Sequence, residues 1–135
     1  MNNPKSIYLI VLISLIVGIL HFAIGPEYNG IFKIFITGYL IDLLLPMNVY
    51  LLLQISFRKK LSVNKSRIIG AISTFLLGLT VEVLQFNKIQ FFGQTYDAWD
   101  IVMYAIGVIF GILIDLLLIE KFENEEINGK INEVV

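Results

Sequence analysis

Four long apolar stretches dominate the chain, over residues 7–24, 31–57, 68–86 and 99–119. They are separated by short polar segments reading GPEYNG, RKKLSVNKSR and NKIQFFGQTYD. Each stretch approaches or exceeds the ~20 residues that a helix needs to cross ~30 Å of hydrocarbon at ~1.5 Å per residue. The pattern predicts an all-α fold: a four-helix transmembrane bundle within residues 1–119, followed by a charged tail over 120–135, EKFENEEINGKINEVV.

Composition supports the same solvent. Apolar residues make up 57% of the chain and charged residues 16%, against roughly 45–50% and about 25% in soluble domains. A chain of 135 residues leaves no room for a separate soluble domain, so any chemistry lives in the bundle. With no cysteine and one histidine, a disulfide framework, a thiol nucleophile and a multi-histidine metal centre are excluded. No cofactor and no metal are expected. The net charge of −1 argues against a nucleic-acid partner.

Orientation follows from the cations. Lys5, Arg58, Lys59, Lys60, Lys65, Arg67, Lys121 and Lys130 fall on one side of the bundle, and only Lys33 and Lys88 on the other. The positive-inside rule then sets both termini and the middle loop in the cytoplasm, an N-in/C-in multi-pass protein of the cytoplasmic membrane. Ala23-Ile24-Gly25 has the look of a signal-peptide cleavage site, but the apolar run before it is longer than the usual ~7–15 residues. The first helix is therefore read as retained.

Helical spacing tells which way the polar residues point. Ser14, Gly18, His21 and Gly25 form one stripe on the first helix, and Thr74, Gly78, Glu82 and Gln85 another on the third. On the fourth, Asp100, Tyr104, Gly107 and Gly111 share a face, the two glycines permitting close backbone approach. Thr37, Gly38 and Asp42 supply a similar patch on the second. Helix packing accounts for the glycines, Ser14 and Thr74. It does not account for the acids.

Depth sorts them further. Glu82 lies ~6 Å below the outer end of its helix, with Gln85 one turn nearer the surface, and Asp97, Asp100 and His21 enter at the same level. Intramembrane acids are functional candidates by default. Simpler roles compete: Asp97 as a helix N-cap, Asp100 as a first-turn acid favoured by the helix dipole, His21 as a packing residue and Trp99 as an interfacial anchor. Glu82 has no such explanation. The expectation is one outer pocket built by Glu82, Gln85 and Asp100, with Asp97 and His21 at its rim and Gln85 bridging the carboxyl groups. Asp42 is expected deeper, ~16 Å down its helix, where Pro46 leaves the Asp42 carbonyl without its helical donor. Asp115, ~22 Å inward of Asp100, should meet the loop cations.

The order Glu82-x-x-Gln85, an outer loop, then Thr-Tyr-Asp-x-x-Asp opening a helix with Gly107 and Gly111 resembles the VanZ-like family of small bacterial membrane proteins. Glu82, Gln85, Asp100, Gly107 and Gly111 match the family pattern. Gln94 stands where the family often has arginine, and Tyr104 where it has asparagine. The resemblance covers roughly residues 68–115, and the first two helices match only in number. It implies a cell-envelope role, with low-level tolerance of glycopeptide antibiotics as the associated phenotype. The missing arginine argues against clamping a phosphate or carboxylate.

Two classes of function follow. The first is a binding protein whose outer acidic pocket holds a membrane lipid or a lipid-linked or amphiphilic envelope precursor. The second is an enzyme using Glu82 and Asp100 as an acid–base pair on a lipid head group, though no serine–histidine–aspartate order or phosphate-cradling loop is visible. Proton- or sodium-coupled transport through Asp42 and Pro46 is a third reading, and four helices would need a homo-oligomer for it.

Overall fold

A computed structural model of the protein describes residues 3–24, 28–89 and 96–125. Helix α1 spans Pro4–Ile24, α2 Leu40–Phe57, α3 Val63–Phe86 and α4 Ala98–Ile114. A widened π turn, Phe35–Tyr39, leads into α2, and a second, Asp115–Ile119, carries the α4 helix onward to Glu125. All four helices are long and apolar enough to cross a membrane. Among the described residues there is no strand, so the all-α, four-helix architecture is as expected.

The ends differ from the apolar limits for physical reasons. The third helix begins at Val63 and the fourth reaches Glu125, because backbone hydrogen bonds run on through Asn64, Lys65, Arg67 and Glu120 although their side chains favour water. Residues 120–125 therefore belong to the fourth helix rather than to a tail. The second helix starts later than residue 31: Ile31 and Phe32 form a turn, with Phe32 at φ 61°. Gly25, Gln94, Thr95 and residues 126–135 lie outside the described residues.

Local signals fix the acidic end of α3 and the start of α4. After α3 the Lys88 N–H donates to the Gln85 carbonyl at 2.8 Å and the Ile89 N–H to that of Leu84 at 2.9 Å. This double closure puts Lys88 at φ 60°, the left-handed position where glycine is usual. At the start of α4, Asp97 caps the helix by accepting from the Trp99 N–H at 2.9 Å.

Helix α2 is the hub, packing against α1, α3 and α4. Its approach to α4 is close because α4 carries glycine there: a Cβ on Gly107 would meet the Leu43 carbonyl, and one on Gly111 the Tyr50 ring at 2.7 Å. Gly107 and Gly111 are thus packing glycines, as their spacing predicts. Helix α1 is held mainly over its first half. Asn3 Nδ2 donates to the Phe122 carbonyl at 2.6 Å, Ile10 is buried with Tyr50, Leu51 and Ile119, and Ser14 Oγ donates to Asn48 Oδ1 at 2.6 Å. Beyond Val17 it is largely uncovered: Ile19 and Phe22 are 64% and 86% exposed, and Gly18 has no neighbour for an added Cβ within 4 Å. Apolar side chains on the outer faces, such as Ile68, Leu76, Ile109 and Leu117, complete a surface suited to lipid.

Candidate functional site

The buried face of α3 carries Ser66, Gly70, Thr74, Glu82 and Gln85. Glu82 is 1% exposed, and its Oε1 accepts the Tyr104 hydroxyl of α4 at 2.8 Å. Gly78 makes this possible, since a Cβ there would stand 2.6 Å from the Tyr104 ring. Among the described residues, Glu82 Oε2 and Gln85 Oε1 are both buried and accept no hydrogen bond, and Thr74 Oγ1, two turns further in, is likewise unpartnered. Each such group costs about 1–3 kcal/mol. Buried polar atoms in native proteins are nearly always paired, so adjacent exceptions ask for a reason.

Around this pair stand three more carboxylates. Asp97 Oδ1 accepts from the Trp99 N–H, and its Oδ2 from the Tyr39 hydroxyl at 3.4 Å. That second bond ties the π turn before α2 to the start of α4. Asp100 is half-buried and within Coulombic reach of Glu82 and Asp97, and Asp42 within reach of Asp100, Glu82 and Asp97. Four acids from three helices therefore share one end of the bundle.

This arrangement differs from expectation in three respects. Gln85 is no bridge: Tyr104 supplies the hydrogen bond to Glu82, and no side-chain bond joins Gln85 to either acid. His21 is exposed on the loosely held half of α1, its ring edge-on to Phe22 with centroids 5.3 Å apart, and it bonds to none of the acids. Asp42, expected deeper than the other acids, stands within Coulombic reach of them. Its neighbour Leu43 packs on Gly107, less than one turn from Tyr104. Pro46 is buried inside a helix that continues through it. Gln94 is outside the described residues.

The opposite end holds a second charged cluster. Asp115 is fully buried and accepts from three groups: Arg58, the Arg67 Nε at 2.9 Å and the Tyr50 hydroxyl at 3.2 Å. Arg67 also reaches Glu120 at 2.6 Å, and Arg58 stands 3.8 Å from Glu123. Asp115 meets the loop cations as its position predicts, and does so fully buried in the protein. Gln54, also fully buried, donates to the Ser66 carbonyl at 3.1 Å.

The sequence held signals for what was missed. Tyr50, Gln54 and Arg58 recur every fourth residue on one face of α2, a polar stripe that runs to the loop cations. Tyr104 lies one turn from Asp100 on the stripe that faces α3. Tyr39 had no such signal, because the π turn shifts its direction relative to ordinary helical spacing.

Fold and composition define a multi-pass helical membrane protein with an acidic cluster at one end and an arginine–aspartate cluster at the other. No family model matches the chain, and no curated protein or solved structure matches it.

Proposed function

We propose that this is a VanZ-like protein of the cytoplasmic membrane whose acidic end faces outward and holds a membrane lipid or a lipid-linked or amphiphilic envelope precursor. The observation that carries the reading is the pair of buried, unpartnered acceptors Glu82 Oε2 and Gln85 Oε1. A bundle built only for packing gains nothing from them, whereas a polar head group would supply the missing donors. Eight cations against two support the orientation. Altered tolerance of glycopeptide antibiotics is the expected whole-cell consequence of losing the pocket.

Mass spectrometry of the purified protein tests the reading. A stable amphiphile should accompany the wild type and be lost from Glu82→Gln and Asp100→Asn variants that still insert and express. Retention by both variants would refute it.

An acid–base enzyme is the second reading, favoured by one observation: Glu82 is hydrogen-bonded and buried while Asp100, within its Coulombic reach, is only half-buried. Unequal environments are what divide a carboxyl pair into acid and base. A modified head group among the co-purified lipids would favour this reading over simple binding.

A further inference from the structure

We propose that the acidic pocket is selective for a primary ammonium group, carried by the head of an amphiphile, over anionic, neutral and quaternary heads. The proposal rests on the pocket reading above and adds to it the chemistry of the occupant.

The charge at this end is of one sign. Asp42, Glu82, Asp97 and Asp100 lie together, and Lys33 and Lys88 are the two cations that the sequence offers to this half of the bundle. Both are exposed. Lys33 Nζ donates to Asn29 Oδ1 at 2.6 Å, and Lys88 occupies the left-handed position that ends α3. Among the described residues the salt bridges all lie at the opposite end, on Arg58 and Arg67. An anionic head would enter against four carboxylates with no paired cation to receive it.

The buried unfilled capacity nearest the acids is that of acceptors. Three local donors are spent: the Tyr104 hydroxyl on Glu82 Oε1, the Tyr39 hydroxyl and the Trp99 N–H on Asp97. Left over and buried beside them, among the described residues, are two acceptors, Glu82 Oε2 and Gln85 Oε1, one turn apart on the same face of α3, with the unpartnered Thr74 hydroxyl two turns further in. They are independent of the acid count, because Gln85 carries no charge and is 9% exposed. An occupant that satisfies both must bring several donors and positive charge. A primary ammonium has three N–H donors and one charge on a single atom. A quaternary ammonium has the charge but no donor, and a hydroxyl has one donor and no charge. A bare metal ion fits less well, since no group of three acidic or histidine side chains among the described residues converges closely enough to hold one.

The test uses the protein in nanodiscs of phosphatidylcholine, whose head lacks N–H donors, and four probes with one chain: dodecylamine, dodecanol, dodecyl phosphate and dodecyltrimethylammonium. Trp99, the sole tryptophan, stands beside Asp100 and reports binding by fluorescence, with protein-free nanodiscs correcting for partition. Dodecylamine should bind at least tenfold more tightly than the other three at neutral pH. Glu82→Gln, which keeps the shape, should reduce that preference at least tenfold, and Asp100→Asn provides a second variant should the first fold poorly. Soluble ethanolamine separates the sources: weak or absent binding identifies a head held with its chain, and strong binding a free amine, either of which leaves the ammonium chemistry intact. If dodecanol, dodecyl phosphate or the quaternary probe binds as tightly as the amine, the ammonium inference is overturned while the amphiphile pocket stands. If none of the four binds, both fall.

Discussion

The Tyr104 hydroxyl donates to Glu82 Oε1 at 2.8 Å, so the most deeply buried acid of the acidic end is held by a tyrosine of the neighbouring helix. The bond crosses from α4 to α3 over Gly78, and it satisfies one carboxyl oxygen while the other has no partner among the described residues. Tyr104→Phe keeps the ring and removes the donor. It should lower stability by about 1–3 kcal/mol, the cost of an unsatisfied buried acceptor. Unfolding of the purified protein measures this, and an unchanged free energy would mean that the bond contributes nothing.

Two aspartates within the spans should respond very unequally to the same substitution. Asp115→Asn removes the charge that Arg58 and Arg67 share in a fully buried site, and breaking such a pair costs about 3–5 kcal/mol. Asp42 has no ion-pair partner and no side-chain hydrogen bond among the described residues, so Asp42→Asn should change stability by less than about 1 kcal/mol. Thermal melts of the two variants side by side check the contrast. Equal losses would contradict it.

Glycines of the same type should differ by their surroundings. Gly107→Ala drives a methyl group into the Leu43 carbonyl of α2, and the overpacking should cost about 1–3 kcal/mol. Gly18→Ala meets nothing within 4 Å and should be neutral or slightly stabilising through helix propensity, a gain of up to about 1 kcal/mol. The order of the two melting temperatures is the readout.

The chain contains no cysteine, which permits topology mapping with single introduced thiols. Cysteines at Lys60 and Val135 should be shielded from a membrane-impermeant reagent in intact cells, and one at Lys88 should be labelled. Labelling at Lys60 or Val135 would reverse or break the proposed orientation.

Much of the architecture was legible because apolar run length and the thickness of hydrocarbon are directly related. The acids were legible for the opposite reason, as residues that the same solvent disfavours. What escaped were partners fixed by tertiary contact. Tyr104 reaches Glu82 only because Gly78 leaves room for its ring. Asp42 comes near the cluster where its neighbour Leu43 packs on Gly107 of α4, a contact that hydropathy does not reveal. Asp115 was expected beside the loop cations, but its burial depends on Arg58 folding inward along the Tyr50 and Gln54 face. His21 was placed by depth alone. Depth does not fix direction, and its half of α1 is largely uncovered.

The central claim is that the buried polar groups at the acidic end serve an occupant rather than the fold. The double variant Glu82→Leu with Tyr104→Phe separates the two, because replacing a buried polar pair by apolar residues of similar size is often neutral or stabilising. The deciding measurement is the amount of amphiphile that remains bound per protein in native mass spectrometry, taken together with the melting temperature. The account predicts that the wild type carries the amphiphile, and that the double variant melts at the same temperature or higher yet carries none. A double variant that keeps the amphiphile, or a wild type that carries none, would contradict it.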